Sequence, residues 1–159
     1  MIVPLQRVIF GEYVRKWCRR PYPNHPKGCP NYGKRATCPP EAPMFDKLGL
    51  EPPYYLVIQE FDIEAQEKRM LERHPKWSKR QARCCLYWQR GLMKRIRDEA
   101  EIFMVEHPQS VMIECPEGSG VNLYSTCRLH GIKLEKISLD MKIVRKMVMI
   151  GQHKKEVDR

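Results

Sequence analysis

Residues 54–62 read YYLVIQEFD. β-Branched and aromatic side chains crowd into this run, which predicts a β-strand, and the fold class turns on what flanks it. On the C-terminal side, after a polar stretch, Ser78 stands where it would cap a helix running to about His107, where Pro108 stops it. At about 100° per residue, Cys85, Trp88, Leu92, Ile96, Ala100 and Phe103 share one face of that helix, an apolar stripe suited to packing on a sheet. QSVMIE at 109–114 predicts a second strand. GVNLYSTCRLHG at 120–131 predicts a short helix ended by Gly131. IKLEKIS at 132–138 and RKMVMIGQ at 145–152 predict two closing strands joined as a hairpin around Asp140. This order of elements predicts a single α+β domain over residues 1–159, with a small mixed sheet and one long helix. The final KKEVDR reads as a frayed end.

The N-terminal side of YYLVIQEFD behaves differently. Nine of the 13 prolines fall between residues 18 and 53, a density that excludes regular helix or central strand from most of that region. A structureless loop of that length in a compact domain needs a tie. Cys18, Cys29 and Cys38 supply one. Thiolate sulfur is a soft donor for zinc and for iron–sulfur clusters. The three cysteines are too widely spaced for C-x-x-C knuckles, which disfavours a zinc finger or ribbon. Wide spacing suits a loop wrapped around a larger object, a 4Fe–4S cubane before a zinc ion. Pro30, Pro39 and Pro40 restrict the backbone after ligand candidates, and Gly28 and Gly33 permit the sharp turns of a close approach.

The motifs VRKWC at 14–18, CPNYGK at 29–34 and CPP at 38–40 resemble those of a family of uncharacterised predicted metal-binding proteins with iron–sulfur-type cysteine patterns. In that family the same motifs precede a strand and a long helix. GVNLYSTCRLHGIKLE at 120–135 is similar to the family's G-I-D-V-Y-A-T-A-R-x-x-G-x-x-I-E segment, so the resemblance spans most of the chain. It implies a metal-binding fold and leaves the activity open. The chain departs from the pattern in two places. Family members often carry a cysteine-rich group after the long helix, where this chain has only Cys115, and the loop between Cys18 and Cys29 is enlarged by PYPNHPKG.

Three alternatives stand for the fourth ligand. Cys115, at the end of a strand and leading into a Pro–Gly loop, is the first. His25, inside the cysteine loop, is the second. In the third no protein group binds, and one iron stays open to substrate or sulfide, as a catalytic zinc keeps an open position. Cys85 reads as a small core residue, Cys84 as an edge residue with packing preferred over sulfur relay, and Cys127 as core on the short helix.

A net charge of +10 favours an anionic partner. Between Gln66 and Arg97 eleven Lys or Arg residues face only Glu67 and Glu72, too few acids for a surface of interspersed ion pairs. On the predicted helix Arg80, Arg83, Arg90, Lys94 and Arg97 form one stripe opposite the apolar face, joined by Lys76 if the helix starts early. Tyr87 within the stripe, or Trp77 beside it, offers a ring for a base to stack on. RNA, with tRNA foremost, is the expected partner.

The remaining features bound the function. No apolar run reaches the roughly 20 residues that cross a bilayer, and MIVPLQRVIFGEYVRK lacks the succession of an export signal. Seven cysteines, an odd number, fit a reducing, cytoplasmic compartment better than a disulfide framework. No phosphate-cradling, dinucleotide-binding or nucleophile-elbow motif occurs, so an enzyme here works through its metal. The first expectation is an iron–sulfur protein acting on a tRNA base through an open iron, for instance in sulfur transfer. The alternatives are a non-catalytic module with a metal staple, of zinc or iron–sulfur type, and an electron-transfer protein.

Overall fold

The computed structural model describes residues 1–154, so KKEVDR lies, beyond Lys154, outside the described residues. Four strands form the sheet: β1 (Ile2–Leu5), β2 (Leu50–Asp62), β3 (Ser110–Ile113) and β4 (Ile143–His153). YYLVIQEFD lies within β2, and its side chains alternate between two buried faces. Leu56 and Ile58 turn to one face and Val57 to the other, and all three are almost fully buried. A strand covered on both faces carries such a continuous apolar run.

The strand order is β1-β2-β4-β3 and every pairing is antiparallel, so the sheet is not mixed. Its register sets Ile2 opposite Val57, Tyr55 opposite Ile150 and Ile113 opposite Met149. Pro52 and Pro53 fall at the register break between Glu51 and Tyr55, where a sheet tolerates residues that donate no hydrogen bond. The expected strand IKLEKIS does not form; residues 132–138 have no regular structure. The hairpin partner expected of it, β4, is bonded instead to β2 along its length and to β3 at residues 149–152.

Five helices complete the domain: α1 (Glu12–Arg15), α2 (Ile63–Arg73), α3 (Lys79–Ala82), α4 (Gln89–Glu106) and α5 (Leu123–Leu129). One face of the sheet packs on α4 through Val57, Val148, Ile150, Ile96 and Ala100. The opposite face, with Leu56, Ile58, Met147 and Met149, is covered by Phe45, Val121, Leu123 and Cys127. No helix of the described residues is long and apolar enough to cross a membrane.

The helix expected over 78–107 is broken. Ser78 makes its capping box with Gln81, but the helix it caps ends at Ala82, a short 3₁₀ turn (Cys85–Tyr87) follows, and α4 starts at Gln89. Tertiary ties override helix propensity here. Ala82 is fully buried, the Trp88 indole N–H donates to the Arg83 carbonyl at 3.2 Å, and the Trp88 ring stacks on Phe61 at 4.8 Å. The apolar stripe survives in Leu92, Ile96 and Ala100, while Cys85 sits half-buried in the turn rather than on a helix face.

These packing assignments separate two isoleucines of one helix. Ile96→Ala should lower unfolding free energy by roughly 2–5 kcal/mol. Ile102→Ala, at a position 69% exposed, should change it by no more than about 0.5 kcal/mol. Urea denaturation followed by circular dichroism reads both.

Candidate metal centre and basic surface

The cysteine loop is held by backbone before any metal is considered. α1 runs into a 3₁₀ turn (Lys16–Arg19) that presents Cys18. The Cys29 amide donates to the Cys18 carbonyl at 2.7 Å, which closes the enlarged loop at its base. Gly28 makes this possible. Its φ is +85°, and a Cβ there would lie 2.6 Å from the Cys18 carbonyl oxygen. Inside the loop Tyr22 and His25 exchange backbone hydrogen bonds at 3.2 and 2.8 Å, and their rings stack at 4.4 Å.

Farther along, the Gly33 amide donates to the Pro39 carbonyl at 2.8 Å and the Cys38 amide to the Arg35 carbonyl at 3.0 Å, leaving Cys38 buried. Arg15 ties this end back to α1: its guanidinium donates to the Pro40 carbonyl at 2.7 Å while the side chain is buried.

Cys115 arrives from the other end of the sequence. It follows β3 and precedes a 3₁₀ turn (Pro116–Ser119). The turn and the residues after it dock on the N-terminal segment. The Gly11 amide donates to the Gly120 carbonyl at 2.8 Å, the Asn122 amide to the Ile9 carbonyl at 2.7 Å, and the Asn122 side chain to the Tyr13 hydroxyl at 2.9 Å. Gly118 packs directly on the Thr37 carbonyl, where no Cβ fits. The structure therefore brings Cys18, Cys29, Cys38 and Cys115 into one neighbourhood.

Their electrostatics record the grouping. Burial, then the charges of Cys29, Glu117 and Cys38, raises the Cys18 thiol above its ordinary range. Cys115 is pushed up to about 12, first by burial, then by Glu117 and by Cys38 and Cys18, against a lowering bond from the Gly118 amide. Burial also raises the half-buried Glu117 carboxyl, opposed by its backbone amide and by Lys146. Tyr22 borders the group: burial and the charges of Cys29, Cys85 and Cys18 push its hydroxyl up to about 12. A cation in this neighbourhood would relieve every one of these like-charge terms. Among the described residues no three Cys, His, Asp or Glu side chains stand at the spacing of a single metal ion.

The other cysteines occupy other elements, although Cys85 acts on Tyr22 together with Cys29 and Cys18, and Cys127 feels Glu117. Cys127 is fully buried in the core, with its thiol 3.8 Å from the Met147 sulfur. Cys84 and Cys85 are adjacent and half-buried at the helix break.

The structure revises the basic stripe. Arg83 is buried: it pairs with Glu67 at 2.6 Å and donates to the Met141 carbonyl, so it is a tie between elements and not a free surface cation. Arg97 holds Glu114 with two bonds of 2.9 Å, and Lys94 holds Asp98 at 2.6 Å. Arg80, Tyr87 and Arg90 are exposed; the break takes Arg80 and Tyr87 off the long helix, while Arg90 stays on α4 four residues before Lys94 and on its face. Lys79 finds Asp140 at 2.9 Å. Among the described residues Lys68, Arg69, Arg73, Lys76, Arg80, Arg90 and Arg95 have no carboxylate at ion-pair distance.

Arg15, Gly118 and Glu117 are the residues of this site that the sequence reading passed over. Arg15 stands inside VRKWC, and the other two inside CPEGSG, so each lay within a motif already under consideration. The chain matches no model of a known protein family, no curated protein and no solved structure.

The raised thiols give the metal-free fold a signed pH dependence. Cys18 and Cys115 keep their protons in the folded chain above the ordinary 9.0, whereas in the unfolded chain they lose them near that value. The unfolded state then binds fewer protons, so stability falls as pH rises from about 9 toward about 12. The slope is at most about 1.4 kcal/mol per pH unit for each protected thiol, and less for half-exposed Cys18, where solvent screens the effect. Thermal melts across this range should show the loss, with a shallower slope for Cys115→Ala.

Proposed function

We propose that this chain is an iron–sulfur cluster protein in which Cys18, Cys29, Cys38 and Cys115 hold the cluster, and that its basic surface engages RNA. The observation that carries the reading is the meeting of a three-cysteine loop with a cysteine that follows β3: Cys18 feels Cys29 and Cys38, and Cys115 feels Cys38 and Cys18. The donor set is thiolate throughout, which fits iron–sulfur chemistry and zinc alike. Iron–sulfur is preferred because the wide spacing of Cys18, Cys29 and Cys38 suits a loop wrapped around a cubane, which is larger than one zinc ion. The resemblance of VRKWC, CPNYGK and CPP to the predicted metal-binding family points the same way.

With four thiolates the cluster is a staple for the proline-rich loop or an electron carrier. A second reading is favoured by the half exposure of Cys18 and Cys29, which leaves the neighbourhood reachable from solvent. In it three thiolates hold the cluster and one iron is open. Such a cluster supplies a Lewis-acidic, sulfur-carrying site, the chemistry that sulfur transfer on a tRNA base requires. In either reading this chain's cysteines would hold and orient the cluster.

Anaerobic purification with iron, sulfide and zinc analysis tests the proposal. The wild type should be brown with about four irons and four sulfides per chain, and Cys18→Ala, Cys29→Ala or Cys38→Ala should lose them. Colourless protein with stoichiometric zinc would overturn the iron–sulfur assignment. Cys115→Ala separates the two readings: lost cluster means four protein ligands, and retained cluster means an open iron.

A further inference from the structure

Two of the residues with unmatched positive charge, Arg69 and Arg73, line a cleft and lie outside the stripe read from the sequence. Between α2 and the Cys85–Tyr87 turn lies a cavity of about 380 Å³ lined by Gln66, Arg69, Met70, Arg73 and Tyr87. Arg69 and Arg73 are four residues apart on α2, so their guanidinium groups share a helix face about 6 Å apart along its axis. Gln66 is buried, and its side-chain oxygen accepts from Arg69 at 2.8 Å, which orients that guanidinium without neutralising it. Across the cleft the Tyr87 ring is 55% exposed and yet fixed in place. His74 stacks on Trp77 at 4.1 Å, and Trp77 stacks on Tyr87 at 5.4 Å.

A held, exposed aromatic ring facing two guanidinium groups, one of them oriented by Gln66, is chemistry for a planar ring joined to phosphate. We propose that this cleft is a nucleotide subsite for single-stranded RNA, with a base stacked at Tyr87 and adjoining phosphates held by Arg69 and Arg73. The column of His74, Trp77 and Tyr87 favours a strand, because bases continue a stack one after another and every base offers a π-face. The subsite rests on the RNA half of the proposed function and is independent of the metal centre.

Anisotropy of a fluorescein-labelled oligouridylate, titrated with the full chain over a range of salt, tests the subsite. Tyr87→Ala should weaken binding by about ten-fold, while Tyr87→Phe, which keeps the ring, should stay within about two-fold of wild type. The double substitution Arg69→Gln, Arg73→Gln should reduce the slope of log affinity against log salt by about 1.4, two phosphates at about 0.7 each for a single strand. Lys94→Gln, whose charge already meets Asp98, should change neither reading. Circular dichroism and iron content of each variant establish that the fold and metal centre are intact. Wild-type affinity in Tyr87→Ala overturns the subsite, as does an unchanged salt slope in the double variant. A phosphotyrosine peptide that binds the cleft where oligouridylate does not would also overturn it. Failure of the wild type to bind any oligouridylate removes the RNA half of the proposed function as well, and the iron and sulfide analysis then decides the metal half separately.

Discussion

The carbonyl of Thr37 occupies the space that a Cβ at position 118 would need, and the candidate site depends on that contact. The proline-rich loop carries three cysteines but has little apolar surface of its own. It is positioned because the Cys115–Asn122 segment lies against it and against residues 9–13. That segment is placed in turn by β3, whose register fixes Ile113 opposite Met149. The chain of dependence runs from sheet register to turn, from turn to loop, and from loop to thiols. A side chain at 118 would part the last two links while leaving the sheet untouched.

The same neighbourhood sets stability against function. Burial and the charge of Glu117 favour the protonated Cys18 and Cys115 thiols in the metal-free fold. Ligation requires thiolates, so binding a metal releases those protons and its affinity rises with pH. The thiols that stay uncharged at neutral pH are the ones that would grip a cation.

Much of the fold was legible where the pattern was local. YYLVIQEFD declared a buried strand, Ser78 a cap, and Gly131 a helix end. β1 escaped notice because IVPL is four residues long and includes a proline, which an edge strand accepts. The interruption at Cys84–Trp88 carries no proline to announce it. It follows from Trp88 reaching Phe61 and from Arg83 reaching Glu67, ties that no single window of sequence contains. That break also takes Arg80, Arg83 and Tyr87 out of the basic stripe, while Arg90, Lys94 and Arg97 keep it on α4. Once the helix is cut, Tyr87 faces Arg69 and Arg73 of a different helix, and acids distant in sequence meet Lys79, Arg83 and Arg97. The cysteine loop was readable because proline density and thiols together demand a tie. Gly118's part in bringing Cys115 to it was not, since a glycine's neighbours are a property of the assembled chain.

The route of the chain between Cys38 and Cys115 has one more consequence. β2, β3 and the longest helix lie between these two residues. Any group bonded to both sulfurs therefore acts as a cross-link around about half of the chain. It would remove from the unfolded chain the freedom of a very long loop, an entropic effect of roughly 4–5 kcal/mol in the chain-entropy description. Ligation confined to Cys18, Cys29 and Cys38 closes only a short loop near one end and leaves the rest of the chain free. The melting temperature of the loaded protein thus reports topology as well as chemistry, because it registers whether the far end of the sheet has been tied to the near one.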